Sequence, residues 1–160
     1  MPKPAPYLLI ALAAAVAFMA VPSAAADDAG TLAACLEAER TAQRDGRGCI
    51  GRISNPCMQE PGGETTAGMK ICTNREVEVW DAQLNAEYQE LLGVLQGKSA
   101  EKIRAAQRAW IEMRDGDCTL PYETFEGGTI AGVIAGNCML GHTATRALQL
   151  HDLRTSNSYE

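Results

Sequence analysis

Six cysteines in a chain of 160 residues (Cys35, Cys49, Cys57, Cys72, Cys118 and Cys138) constrain the fold more than any other feature. Their role depends on the compartment, since thiols pair in oxidising surroundings and stay reduced in a cytosol. The N-terminus bears on this. Lys3 gives a positive start, Tyr7 to Val21 is an apolar run of 15 residues, and Pro22-Ser23 ends it ahead of an A-x-A pattern at Ala24-Ala25-Ala26. That layout reads as a secretory signal peptide over residues 1–26, with a run shorter than the roughly 20 residues of a spanning helix. A periplasmic or secreted product is expected, not an integral membrane protein. Cleavage leaves 134 residues and removes Lys3, which moves the net charge from −6 to −7.

Leu32-Ala33-Ala34-Cys35 also fits a bacterial lipobox, but Asp27, Asp28 and Gly30 separate it from the apolar run. Lipidation of Cys35 would leave an odd number of cysteines in an oxidising compartment, so the soluble exported form is favoured. The six then read as three disulfides. Many pairings are formally open, and spacing alone selects none. Proximity suggests 35–49, 57–72 and 118–138. A loop of about 15 to 21 residues closed in this way contributes about 3 kcal/mol in the chain-entropy model. No C-x-x-C pair is present, and His142 and His151, nine apart, read as helix-surface or boundary residues rather than metal ligands. No metal or cofactor is therefore expected.

With the cysteines committed, the remaining chain divides in two. Residues 27–67 begin with a short helical stretch around Leu32, Cys35, Leu36 and Glu39. They then meet breakers at Gly46, Gly48, Gly51, Asn55-Pro56 and Pro61-Gly62-Gly63, which predict an irregular Cys-rich segment. Residues 68–154 read as helices, and 155–160 as a polar tail. Met69, Cys72, Val77, Trp80, Leu84, Tyr88, Leu91, Leu92 and Leu95 form one apolar stripe on a helix of about 28 residues. Gln96-Gly97-Lys98-Ser99 predicts a turn in which Gly ends one helix and Ser caps the next. Ile103, Ala106, Trp110 and Met113 continue toward Cys118, giving an antiparallel helical hairpin. Its first arm is acidic and its second basic. A loop is expected over Thr119–Gly128, and a last helix over Thr129–Leu153. Gly128, Gly132 and Gly136, four apart at its start, suit close packing on the hairpin. The fold class is all-α: a small helical bundle built on the hairpin, with the irregular N-terminal segment stapled to it.

The search for chemistry is mostly negative. Twenty acids against 14 bases argue against nucleic acid, which rewards clustered Lys and Arg. No G-x-S-x-G, H-E-x-x-H or phosphate-binding Gly loop is present, and no free thiol is left as a nucleophile. Asp115 with Asp117, or Glu123 with Glu126, are carboxylate pairs of the kind that hydrolyse glycans. In a chain this acidic such pairs arise readily, so no enzyme is expected. Two runs are dense in distinctive residues: Trp80–Tyr88, and Ala106–Asp115 leading to Cys118. Helical apolar spacing by itself accounts for Trp80 and Trp110, which are expected to bury near one another. Asn85 and Gln107 are then expected to satisfy polar groups across the hairpin, and Arg114 and Asp115 to brace the irregular segment.

The same residues carry a family likeness. W-D-x-x-L-N-x-x-Y-x-x-L from Trp80 to Leu91, A-Q-R-A-W-I-x-x-R-D-x-x-C from Ala106 to Cys118, then Gly127-Gly128 and Cys138 resemble the LprI-type lysozyme inhibitor N-terminal domain family. The resemblance spans roughly Met69 to Leu150. Its motif positions here are Trp80, Asp81, Leu84, Asn85, Tyr88, Gln107, Arg108, Trp110, Arg114 and Asp115, expected to be mainly structural. It implies an exported bacterial domain, helical and disulfide-bonded, that binds and inhibits lysozyme. The region Cys35–Cys57 is longer than the simplest family pattern. From the residues themselves, Tyr122, Glu123, Phe125 and Glu126 are the candidate partner-binding set, aromatic anchors flanked by acids. The alternative is a structural or accessory envelope protein, and a weaker one a carboxylate-based cell-wall glycan hydrolase.

Overall fold

The computed structural model describes residues 24–157, so the greater part of the expected signal segment lies outside the described residues. Helix α1 spans Ala24–Thr41 and leads through a 3-10 turn at Arg47–Cys49 to the short α2, Ser54–Met58. Three long helices follow: α3 (Thr66–Val94), α4 (Gly97–Thr124) and α5 (Thr129–Asn157). The described residues contain no strand. The all-α class expected from periodicity is what forms.

The α3 stripe is buried as its spacing demands. Cys72, Thr73, Glu76, Trp80, Leu84, Glu87 and Leu91 are its buried positions, recurring every three or four residues. Thr65 caps the helix, its side chain accepting from the Gly68 amide. The main partner of this stripe is α5, which also carries α4 on another face. Small α5 residues permit the close approach. A methyl placed on Gly132 would stand 2.9 Å from the Lys70 side chain, and one on Gly136 would stand 3.4 Å from Thr73. The glycine stripe is thus a packing surface.

Several expectations change in detail. The α3–α4 turn is tighter than expected: α4 starts at Gly97 in a left-handed conformation (φ 52°), and no side chain caps it. Ser99 is already inside the helix. The α3–α4 arms are held together through α5, which packs on both, so the acidic α3 does not pair with the basic α4. Glu87 and Glu90 of α3 instead meet Arg154 of α5, and Arg75 reaches back to Asp28 of α1. The expected loop over Thr119–Gly128 shrinks because α4 continues to Thr124 with Pro121 inside its last turns. Proline there removes only the amide that would serve the Asp117 carbonyl, on a residue exposed to water that can take its place. Helix α5 runs past Leu153 into the polar tail, where Thr155 and Ser156 hydroxyls donate to carbonyls one turn back.

The N-terminal part is held by covalent and buried polar links. Cys35–Cys49 ties α1 to the 3-10 turn, Cys57–Cys72 ties α2 to α3, and Cys118–Cys138 ties α4 to α5. Between the first two staples lies Glu76, wholly buried on α3. Its carboxylate accepts from the Gly51 amide at 2.6 Å, from Ile53 and Ser54 at 3.1 and 2.7 Å, and from the Trp80 indole at 3.1 Å. Four donors and the start of α2 replace the water it lost.

Candidate partner-binding tip

Where α4 hands over to α5, the chain presents an apolar projection with acids on it. Leu120, Tyr122, Phe125 and Ile130 are 61, 47, 43 and 43% exposed, an unusual concentration of large apolar side chains in water. Glu123 and Glu126 stand among them, both exposed. The tip is built stiffly. The Gly127 amide donates to the Tyr122 carbonyl at 3.0 Å and Gly128 to Phe125 at 2.8 Å, while Glu126 and Gly127 both take positive φ, 50° and 73°. Below the turn, Cys118–Cys138 locks the two helices. Tyr122 and Glu123 therefore project from the end of a helix, and only Phe125 and Glu126 lie in the connecting turn.

The motif residues lie away from this tip, some buried in the packing and others, such as Asp81 and Arg108, exposed. Trp80 is fully buried and hydrogen-bonded to Glu76, with Leu84 buried one turn further along. Trp110 does not share that place: it is half-buried on the α4–α5 face, with the guanidiniums of Arg114 and Arg146 at 4.9 and 5.9 Å from its ring centre. Gln107 accepts from Arg146 Nε at 2.9 Å, which links α4 to α5 and not to α3. Asn85 bonds to Asp81 on its own helix. Arg114 and Asp115 pair with each other and do not brace the N-terminal segment. Tyr88 is half-buried and Arg108 exposed.

Three groupings went unread in the sequence. Glu76 interrupts the apolar stripe one turn from both Cys72 and Trp80, a register that marks a buried acid. Arg146 is held below the ordinary guanidinium range by burial. Glu87 accepts from Gln83 and Arg154 and stands 3.0 Å from His151 Nδ1. Burial pushes its carboxyl up, but the Arg154 and His151 contacts outweigh that and hold it below the usual range. Glu87, Gln83 and His151 border a recess of about 130 Å³ lined also by Leu36, Trp80 and Leu148. His142 faces Asp117 at 3.4 Å and lies near Cys118 and Cys138. Both of those sulfurs are engaged in the disulfide and offer no thiolate. Of the carboxylate pairs, Asp115 is tied to Arg114 and Asp117 to His142, leaving Glu123 and Glu126 free at the tip.

Fold and site together define a disulfide-stapled all-α domain whose distinctive surface is a rigid, acidic and aromatic projection. Residues 57–150 match the model of the lysozyme inhibitor LprI family, more than half of the chain. The chain belongs to that family. It is also similar to the uncharacterized protein R02472 of Rhizobium meliloti (strain 1021), 28% identical over 101 residues that cover 55% of this chain and 73% of the relative. No solved structure matches it.

Proposed function

We propose that the chain is an exported protein-binding domain that inhibits lysozyme by covering the enzyme's cleft with the α4–α5 tip. The observation that carries this reading is the cluster of Tyr122, Phe125, Glu123 and Glu126, exposed on a stapled turn in a member of an inhibitor family. Aromatic side chains supply contact area at small entropic cost, and a stiff turn loses little freedom on docking. The net charge of −7 after signal removal steers the domain toward basic proteins, as many lysozymes are. The cleft itself holds two carboxylates, so acids on the tip serve the basic rim while the aromatic rings fill the groove. Export rests on the apolar N-terminal run and on the three disulfides, which persist in oxidising compartments.

The test adds the oxidised chain lacking residues 1–26 to lysozymes of several classes and follows lysis of a cell-wall suspension. Inhibition is expected. Replacing Tyr122, Glu123, Phe125 and Glu126 together should weaken it at least about tenfold, the loss of one or two anchors' worth of binding, with unfolding unchanged. Neither inhibition nor binding at micromolar concentration would sink the proposal in favour of an accessory envelope role. Cell-wall degradation by the chain alone would revive the hydrolase alternative.

A further inference from the structure

Helix α4 packs on α5 through buried residues that include Ile103, Gln107 and Cys118, and leaves an exposed face on its flank. Lys102, Ala106, Ala109, Met113, Gly116, Leu120 and Glu123 recur along that face at alternating spacings of four and three, and all seven are exposed. Such a register is one continuous helix face, with small and apolar residues between a Lys at one end and a Glu at the other. Met113 is 49% and Leu120 61% exposed, large areas for side chains that elsewhere find a core. Charge along α4 is divided by halves. Lys98, Lys102, Arg104 and Arg108 occupy its first part against Glu101, while Glu112, Asp115, Asp117 and Glu123 follow against Arg114, with Glu126 in the turn just beyond.

We infer that this face pairs with the same face of a second copy, the two α4 helices running antiparallel about a two-fold axis near Met113. Only an antiparallel arrangement lays the basic half of one helix over the acidic half of the other. Lys98 and Lys102 then approach Glu126 and Glu123 of the second copy, and the relation repeats on the other side of the axis, as an isologous interface requires. None of these four side chains has an ion-pair partner among the described residues. Bulk is complementary as well. The small Ala106 and Ala109 come opposite the Gly116–Leu120 stretch, so the large Leu120 meets small residues and the axes can approach closely. A methyl on Gly116 would touch nothing within 4 Å in the single chain. Glu112 and its copy are the one like-charged pair beside the axis, and Arg108 stands one turn from each. Tyr122 and Phe125 stay outside the seam, so the pair carries a tip at each end.

Sedimentation equilibrium of the oxidised chain should show a concentration-dependent dimer. Lys102→Glu and Glu123→Lys should each weaken it roughly tenfold, since every exchange creates two repulsive contacts per dimer. The double exchange should restore it. Met113→Cys, beside the axis, should be captured chain to chain by a short bismaleimide, whereas cysteine at the exposed Arg52 should not. A chain that stays monomeric at high concentration, or a dimer indifferent to these charges and uncaptured at position 113, overturns the inference. The oligomeric state is read without lysozyme, so a monomer leaves the inhibition test standing; Glu123 belongs to both surfaces, and Lys102→Glu, which lies outside the tip, separates the two.

Discussion

Glu76 illustrates how one buried acid can organise a segment that has little core of its own. Its four hydrogen bonds gather the amides of Gly51, Ile53 and Ser54 and the Trp80 indole around one carboxylate. In Glu76→Gln one acceptor becomes a donor facing donors, and charge assistance is lost. The expected cost is about 3 kcal/mol, read by chemical denaturation as a lower midpoint at unchanged slope. Glu87 gives a pH-dependent counterpart. Its carboxyl is held below the usual 4.5 in the folded chain, so ionisation favours folding. That contribution is whole above the usual value and drains away as pH falls through the lower folded one. Glu87→Gln should therefore flatten the acid limb of a stability–pH curve below about pH 4.5 while changing its slope little near neutrality. A curve of unaltered shape would remove Glu87 from the acid response.

At the scale of elements, close approaches and staples decide what can be changed. A methyl on Gly68, in the first turn of α3, would stand 2.1 Å from the Gly62 carbonyl oxygen, a backbone atom that cannot swing aside. Gly68→Ala should cost about 1–3 kcal/mol and loosen the 58–68 crossing, visible as faster amide exchange there. Removing Cys118 and Cys138 together should cost about 3 kcal/mol and open the tip to proteolysis. The elements also mark where sequence reading stops. The α3 stripe was plain, because apolar residues at three and four spacings leave no other regular structure. Pro121 and Gly127-Gly128 hid the end of α4, since breakers are read locally while the helix needs only one amide fewer. That α5 packs on the hairpin was legible in Gly132 and Gly136, but that α3 and α4 meet chiefly through it was not. Alanine and glycine carry little apolar signal, and surface charges on α3 and α4 suggested a pairing that weak exposed ion pairs do not enforce. Of the candidate site, residue identity was legible at Tyr122, Glu123, Phe125 and Glu126. The helical presentation of the first two was not, because Pro121 precedes them.

For the whole molecule, the acidic balance makes a kinetic prediction. If the tip meets a basic enzyme, association should slow as salt rises from about 0.05 to 0.5 M, because the Debye length shrinks from beyond to well within the reach of the charges. Dissociation, governed by the apolar tip, should change far less. Surface plasmon resonance separates the two rates, and an association rate indifferent to salt would remove steering from the proposal.

The three disulfides also have an order. Each joins cysteines 14, 15 or 20 positions apart, and no loop encloses or crosses another. A chain emerging N-terminus first offers each cysteine its proper mate before the next pair arrives, so oxidation can follow emergence with little reshuffling. The connectivity makes each bond a local event that waits for no later part of the chain.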